Sequence, residues 1–353
     1  MIDWTKGMRQ RFRYYMVDRG TWRDLAEIPN VVSCEITRDL STPTLESAKM
    51  ELDGEAFGEK IVRVYAECSQ EQDGRYGPWE RFAMGTFICQ TPRTTWSSGK
   101  PTVEVRAYST LLALSDDKPS VFHTVRSNAD CIETAISMLK EGIAPVIPCY
   151  ETLAMGSDFA LTADSSWLDG AKEVAAVAEM DVLVDPYGRP YLAPVKDPSG
   201  LSPSWTYEDG ENSILMPGVD DELDWYGLPN AIEVVISGEN RTVIGIAENT
   251  TGSAMSIDAR GRRVFKRVTD ADLPSSATQT AVTRYASRLL AEEGAAERKF
   301  TYEHGLCPVV LGDCVRVKSK RSGIDARARV VKQTIKLGTG CTVSEEATCK
   351  EAV

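Results

Sequence analysis

The 353-residue chain carries 52 acidic and 40 basic side chains, which gives a formal net charge of −12. Its apolar content of 42% is ordinary for a globular protein, and its length exceeds one ordinary core, so two or three domains are expected. No window approaches about 18 uninterrupted apolar residues, and the charged start of the chain lacks the apolar centre of a signal peptide. The sequence therefore predicts no membrane span, folding in a cytoplasm and no stable binding of nucleic acid.

Nine cysteines lie between Cys34 and Cys349 without a CxxC pair. A zinc module needs ligands in close pairs so that four can converge on one ion. The cysteines are therefore interpreted as reduced thiols that act as small core residues.

Residues 31–110 alternate apolar and polar side chains with a period of two, which is typical of strands with one buried face. The alternating runs cover residues 32–36, 48–52, 62–68, 82–90 and 103–107. Turn residues rich in Gly, Asp, Ser and Pro separate these runs. Five or six short strands at this spacing predict a small antiparallel barrel or sandwich.

The pattern changes near Asp116. The polar run 127–130 predicts a helix start, and Gly142 a stop. A second helix is predicted to begin at residue 165 or 166 and to lead into a hairpin at 180–192. Its Asp-Pro-Tyr-Gly sequence at 185–188 favours a type I turn. Residues 116–200 are thus expected to form an α/β insert.

A second β-rich part follows a linker at 197–204, and its core block is 228–337. Apolar runs at 231–236 and 243–247 predict strands, a helix is predicted at about 276–293, and strands near 309–317 and 328–337 complete the block. The polar tail at 339–353 is expected to be a short peripheral strand or disordered. Nothing in this block has the spacing of a nucleophile, a metal cage or a phosphate loop, so it indicates architecture rather than chemistry.

Six basic side chains crowd one predicted hairpin of this second part. They are Arg316, Lys318, Lys320, Arg321, Arg327 and Arg329. A local basic patch for a partner is one interpretation, and a solvated hairpin face explains the residues at least as well.

Few residues suggest catalysis. The two histidines, His123 and His304, are far apart in sequence and are interpreted as structural or surface residues. The acids at 220–224, beside Trp225 and Tyr226, are the best candidate for a glycosidase pair. The alternative is an acidic surface loop whose aromatic residues pack against the barrel, since a catalytic pair must face each other across a cleft. We expect no catalytic residue, no cofactor-binding residue, no metal site and no enzymatic activity.

The order of the predicted parts along the chain resembles that of a known family. A strand-rich beginning contains Val-Val-Ser-Cys-Glu-Ile-Thr-Arg-Asp-Leu at 31–40, and the insert ends in Met-Asp-Val-Leu-Val-Asp-Pro-Tyr-Gly-Arg-Pro at 180–190. The last part holds a helix and then Val-Val-Leu-Gly-Asp-Cys-Val-Arg-Val at 309–317. Over about residues 31–337 the chain resembles the baseplate or tail-tip hub family of tailed bacteriophages, which includes late-control-D-like proteins.

The resemblance implies a β-rich α+β fold in which two small antiparallel, tube-like β-barrels flank the α/β insert. The expected parts are an N-terminal barrel domain at 1–115, the insert at 116–200, a second barrel domain with an inserted helix at 201–338, and a tail at 339–353. The family would form a homotrimer whose six barrels make a pseudo-sixfold ring. That ring would join the tail tube to the tip and let DNA pass during ejection.

The implied partners are a distal tail or tail-tube protein, a tape-measure protein and tip or fibre proteins, with DNA only in transit. The implied location is the tail tip or baseplate of a virion assembled in the host cytoplasm. Two other hypotheses stay open at this point. One is a tail-associated cell-wall hydrolase acting through the acids at 220–224, and the other is a glycan-binding tail-tip module that uses exposed tryptophans.

Overall fold

The computed structural model describes residues 2–54, 58–97, 99–211, 213–237, 241–269, 271, 273 and 277–351. The fold is β-rich, with 47% strand and 14% helix, which confirms the expected α+β class. None of the described helices is long and apolar enough to cross a membrane.

The first part of the chain is a series of antiparallel strands. They are β1 (Arg9–Val17), β2 (Asp24–Glu27), β3 (Val31–Asp39), β4 (Glu46–Asp53), β5 (Ile61–Ser69), β6 (Glu71–Gln72), β7 (Arg75–Tyr76), β8 (Glu80–Ser97) and β9 (Lys100–Ser109). In β4 every second residue is buried, as the period of two predicts. The strands expected between residues 31 and 110 are confirmed, whereas β1 and β2 were not predicted.

The insert then adds short helices and hairpins. Its elements are α1 (Leu112–Asp116), β10 (His123–Val125), α2 (Cys131–Leu139), β11 (Phe159–Leu161), α3 (Trp167–Val177), β12 (Met180–Val184) and β13 (Pro190–Pro194). Both predicted helix starts are confirmed. The Asp130 carboxylate accepts from Glu133 N–H at 2.8 Å, and Ser166 and Asp169 form a reciprocal capping box.

The last part mixes parallel and antiparallel pairing. Its elements are β14 (Trp205–Glu208), β15 (Leu215–Asp224), β16 (Ala231–Ser237), β17 (Thr242–Glu248), α4 (Ile257–Arg260), β18 (Phe265–Val268), α5 (Gln279–Glu293), β19 (Ala296–Gly305), β20 (Cys314–Ser319), β21 (Ile324–Leu337) and β22 (Thr342–Glu351). The helix predicted at about 276–293 is α5, although residue 276 lies outside the described residues. The tail expected to be peripheral or disordered forms β22, a ten-residue strand paired with β19 and β21.

Thirteen of these strands share one sheet, in the order β15-β19-β22-β21-β3-β4-β9-β8-β5-β1-β2, with β20 on β21 and β14 on β20. β3 pairs with β4 on one side and with β21 on the other, with Ile36 opposite Ile335. Strands from both expected barrels therefore meet in one sheet, whereas β16 and β17 form a separate sheet with β18. No sheet in the described part of the chain closes into a barrel, so the two-barrel arrangement is not confirmed.

The chain divides into two compact units, residues 1–219 with 302–347 and residues 220–301 with 348–353. Within the first unit, one core lies under β1, β3, β4, β5, β8 and β9, and a second packs α2 and α3 against β12 and β13. The domain boundaries expected from the sequence, at 115, 200 and 338, stay a prediction.

The insert is fixed to the large sheet by the tip of its β12–β13 hairpin. Gly188 N–H donates to the Asp185 carbonyl at 2.8 Å, as the predicted turn requires. The Thr86 hydroxyl donates to the Pro186 carbonyl at 3.0 Å, and the Thr110 hydroxyl to the Gly188 carbonyl at 2.8 Å. Gly188 has φ +75° and no room for a Cβ, which would lie 2.8 Å from Thr86 Cβ. The turn and the close approach both require glycine here.

In the second unit, α5 covers one face of the three-stranded sheet β17-β16-β18. Val282 and Ala286 of α5 pack on apolar residues of β16 and β17. A Cβ on Gly245 would lie 2.6 Å from the backbone of Val282 and Thr283. The missing side chain lets the helix axis approach the strand closely.

Candidate functional site

The acids proposed from the sequence as a glycosidase pair lie on β15, not in a loop. Asp221 accepts from Arg298 Nε and Nη2 at 2.8 and 2.7 Å, and Glu222 forms an ion pair with Lys299 at 2.6 Å. Because consecutive strand residues point to opposite faces, these two carboxylates cannot face each other. The hydrogen bonds from Arg298 also lower the pKa of Asp221, whereas a general acid needs a raised one. The arrangement supports a structural role for these acids.

The two aromatic residues after β15 are exposed rather than packed against a barrel. Trp225 is 50% exposed and Tyr226 is 92% exposed. Tyr226 N–H donates to the Asp224 carboxylate at 2.7 Å, which forms a local turn. The expectation that these rings pack inward is wrong.

The two histidines have structural surroundings. His123 on β10 makes an edge-to-face contact with Trp167, with ring centroids 5.2 Å apart. His304 lies in the interior of the first unit. His304 Nδ1 lies 3.7 Å from Cys307 Sγ, but both side chains are buried. No described cluster of His, Cys, Asp and Glu could hold a metal ion.

His304 belongs to a chain of buried polar side chains that crosses five strands. Its members are Arg38 on β3, Gln333 on β21, Glu345 on β22, Tyr302 and His304 on β19, and Tyr207 on β14. The Glu345 carboxylate, fully buried, accepts from the Tyr302 hydroxyl at 2.6 Å and from Gln333 Nε2 at 2.5 Å. The Gln333 carbonyl oxygen in turn accepts from Arg38 Nη1 at 2.9 Å. Buried polar groups of this kind specify one alignment of strands, because each must find its partner.

The charge on His304 follows from its neighbours. Its Nδ1 lies 2.7 Å from the Gly305 carbonyl, which can only accept, and its Nε2 lies 3.4 Å from a Glu345 oxygen. Burial lowers the pKa of His304, but its interactions with Cys307 and Glu345 outweigh burial and raise the pKa to about 10. The imidazolium and the carboxylate therefore form a buried ion pair, and the Tyr207 hydroxyl lies 3.1 Å from the same Nε2.

The basic hairpin predicted from the sequence is β20–β21, and its charges are largely matched within the chain. Arg316 binds Asp325 through two hydrogen bonds of 2.7 Å, and Lys318 pairs with Glu208 at 2.7 Å. Arg329 pairs with Asp181. These contacts support the solvated hairpin face rather than a basic patch.

The cysteines also match their interpretation as core thiols. All nine are free, and seven are buried. Burial raises the pKa of both Cys34 and Cys89 to about 12, which makes these thiols poor nucleophiles.

The most unusual surface in the described residues lies on the non-core side of β1, β5 and β8, and we name it the arginine face. It consists of Arg9, Arg11, Arg13, Tyr15, Tyr65, Glu67, Tyr76, Trp79 and Arg81. The guanidinium of Arg9 lies 3.6 Å from the ring centre of Tyr76, and that of Arg11 lies 4.1 Å from the ring centre of Trp79. Stacking of this kind holds guanidinium planes in place.

One carboxylate organises the arginine face. Glu67 is nearly buried and binds Arg11 at 2.5 Å and Arg81 at 2.7 Å, with Arg13 at 3.9 Å. Burial alone would raise the pKa of Glu67, but the hydrogen bonds from Arg81 and Arg11 outweigh burial and lower it. The three arginines are each more than a third exposed, so N–H groups remain for a partner. Flat, preoriented arginines are frequent in protein interfaces.

Sequence reasoning missed this face because it did not predict β1. The signal was present: Arg9, Arg11 and Arg13 alternate with Phe12 and Tyr14, which is the period of a strand with one buried face.

Solved structures with the same architecture are known, although no family model and no curated protein matches the sequence. A tail protein from Neisseria meningitidis MC58 has a TM-score of 0.66 and 14% identity, with 96% of each chain covered. The 43 kDa tail protein of prophage MuSo2 from Shewanella oneidensis has a TM-score of 0.62 and 12% identity, over 96% of this chain and 98% of that one.

The chain has the fold of phage tail proteins. A Francisella PdpA–VgrG complex also matches, with a TM-score of 0.57 and 7% identity over 98% of this chain and 53% of that one. The resemblance to tail-hub proteins inferred from the order of parts is thereby confirmed at the level of the fold.

Proposed function

We propose that this protein is a structural hub of a phage tail tip or baseplate. Three copies would form a pseudo-sixfold ring that joins the tail tube to the tip and lets DNA pass during ejection. The observation that carries this proposal is the match of nearly the whole chain to nearly the whole length of two tail proteins. Because nearly all residues of this chain align with the tail proteins, few residues remain that could form a separate catalytic domain.

The charge supports the same role. A ring through which DNA moves should not hold phosphate tightly, and the chain has a net charge of −12. Four of the six basic side chains of the β20–β21 hairpin pair with Asp325, Glu208 or Asp181, which weakens their attraction for DNA.

The arginine face is the surface that we assign to contacts between ring neighbours. Its arginines are held by Glu67 and by aromatic rings, so little side-chain entropy is lost when a neighbour binds. A contact between two different surfaces of identical subunits closes a ring when the rotation closes.

The finer features of the assembly belong to this proposal. Each protomer would supply two tube-wall parts, residues 1–115 and 201–338, with the insert at 116–200 beside them. Distal tail or tail-tube, tape-measure and tip or fibre proteins would be its partners, and assembly in the host cytoplasm would place it at the tail tip of the virion.

Negative-stain imaging of the purified protein tests the proposal. Rings with threefold symmetry and a central channel are expected, and a field of single small particles at every concentration would contradict it. Exchanging Arg11 and Arg13 for Glu should abolish the rings. The matched control is Arg19→Glu, which removes an exposed arginine that pairs with Glu59 at 3.0 Å and should leave the rings intact.

A glycan-binding tail-tip module is the second candidate, because Trp225 and Tyr226 are exposed side by side. Aromatic rings of this kind can stack on sugar rings. A glycan array tests it: binding that disappears in Trp225→Ala would support this role, and absence of binding to every glycan would remove it.

A further inference from the structure

Strand β14 has a free edge. Within the described residues it pairs only with β20, in parallel register with Trp205 opposite Val315. Asp209 N–H, just after the strand, donates to the Lys318 carbonyl of β20 at 3.3 Å, which directs the backbone groups of odd-numbered residues toward β20. Successive residues of a strand direct their backbone groups to opposite sides, so those of Thr206 and Glu208 point away from β20. These groups are available to another strand.

A groove of about 320 Å³ runs along this edge. Residues 205–211 form most of its lining, and all of its lining residues belong to the first unit. The lining contains three carboxylates, on Glu208, Asp209 and Glu211, and no cationic side chain. The four residues of β14 offer about 13 Å of edge, enough for a short extended segment.

The two faces of β14 differ in chemistry. Tyr207 is buried and Trp205 is largely buried, whereas Thr206 on the opposite face is exposed and Glu208 beside it is half-buried. Side chains directly across a strand pair contact each other, so an added strand would place apolar residues beside the two aromatic rings. On its other face it would place residues beside Glu208, which already pairs with Lys318 at 2.7 Å, and near Asp209 and Glu211, so a basic side chain is favoured there.

We propose that the β14 edge binds an extended segment of a partner protein, with alternating apolar and basic residues, as an added strand. Main-chain hydrogen bonds to Thr206 and Glu208 supply the affinity, and the acidic lining selects the basic face of the segment. The occupant is a different protein rather than a second copy, because the runs of this chain that alternate apolar and basic residues, in β1, β20 and β21, already lie in paired strands. This inference does not depend on the proposed hub function.

The probe is a fluorescent peptide of about ten residues that alternates valine and lysine, a length sufficient for one added strand. Binding is followed by fluorescence anisotropy with the full-length protein. Two control peptides are used. One carries glutamate in place of lysine. The other carries N-methyl groups on alternate amides, which block one of its hydrogen-bonding edges. Each control is expected to bind at least about tenfold more weakly. Bound peptide should also slow hydrogen–deuterium exchange in residues 204–208.

Protein variants complete the test. Thr206→Lys combined with Glu211→Lys, both at exposed side chains of the groove, should weaken the valine–lysine peptide at least about tenfold. Glu303→Lys is the matched control, because Glu303 is exposed on β19 outside the groove lining, and it should leave binding unchanged.

Three results would overturn the proposal. The first is no binding of the valine–lysine peptide, and the second is equal binding of the N-methylated peptide, which would show attraction by charge alone. The third is exchange in residues 204–208 that slows as the concentration of the protein itself rises, which would assign the edge to a second copy.

Discussion

Glu345 is the residue whose replacement tests the buried polar chain most sharply. The change Glu345→Gln keeps the size of the side chain but turns one accepting oxygen into an NH₂ group. That group would meet another donor, since Tyr302 and Gln333 both donate to the carboxylate, and His304 would lose its negative partner. Each buried group left without a partner costs about 1–3 kcal/mol, so the free energy of unfolding should fall by about 3 kcal/mol.

The neighbouring residue provides the control. Glu346 lies on the opposite face of β22 and pairs with Lys332 at 3.3 Å near the surface, so Glu346→Gln should cost less than about 0.5 kcal/mol. Urea unfolding followed by far-ultraviolet circular dichroism measures both variants, and hydrogen–deuterium exchange of β21 and β22 shows where stability is lost. Equal stabilities of the two variants would refute the assignment of Glu345 as the acceptor that joins these strands.

Three further outcomes are expected. Because the folded-state pKa of His304 is raised to about 10 from 6.5, its stabilising contribution is complete below about pH 6.5 and is lost as the pH rises toward 10. His304→Gln should therefore flatten the fall of the urea midpoint between pH 7 and 10, and an unchanged slope would contradict the ion pair. Gly188→Ala should lower the unfolding free energy by about 2 kcal/mol and expose the insert hairpin to limited proteolysis, whereas Gly200→Ala, with open space around it, should do neither. Gly245→Ala should cost about 3 kcal/mol and speed hydrogen exchange in α5, because its Cβ would meet backbone atoms of that helix. Unchanged exchange there would show that the helix can shift freely.

Local patterns in the sequence were sufficient to predict most elements. The starts of α2 and α3 followed from Asp130 and Ser166, whose side chains accept from nearby backbone N–H groups. The hairpin at 180–192 followed from its Asp-Pro-Tyr-Gly turn. These interactions join residues a few positions apart in sequence, so they form in the same way regardless of how distant parts of the chain pack.

The pairing of distant strands could not be predicted in the same way. In the pairing of β3 with β21, Ile36 lies opposite Ile335, and the sequence of neither strand indicates which strand is its partner. For the same reason the sequence did not predict that strands of the two expected barrels share one large sheet, with β16, β17 and β18 in a separate one. The buried polar chain left a weak signal, since Gln333 and Glu345 occupy positions of the alternation where apolar residues are expected, but only the fold shows that they bind each other.

The mass of the protein in solution tests the hub proposal most directly. Multi-angle light scattering at tens of micromolar should give three times the 38.8 kDa chain mass, about 116 kDa, with loss of that species when Arg11 and Arg13 are exchanged for Glu. A mass that stays at 38.8 kDa across that concentration range would contradict the proposal of a trimeric ring.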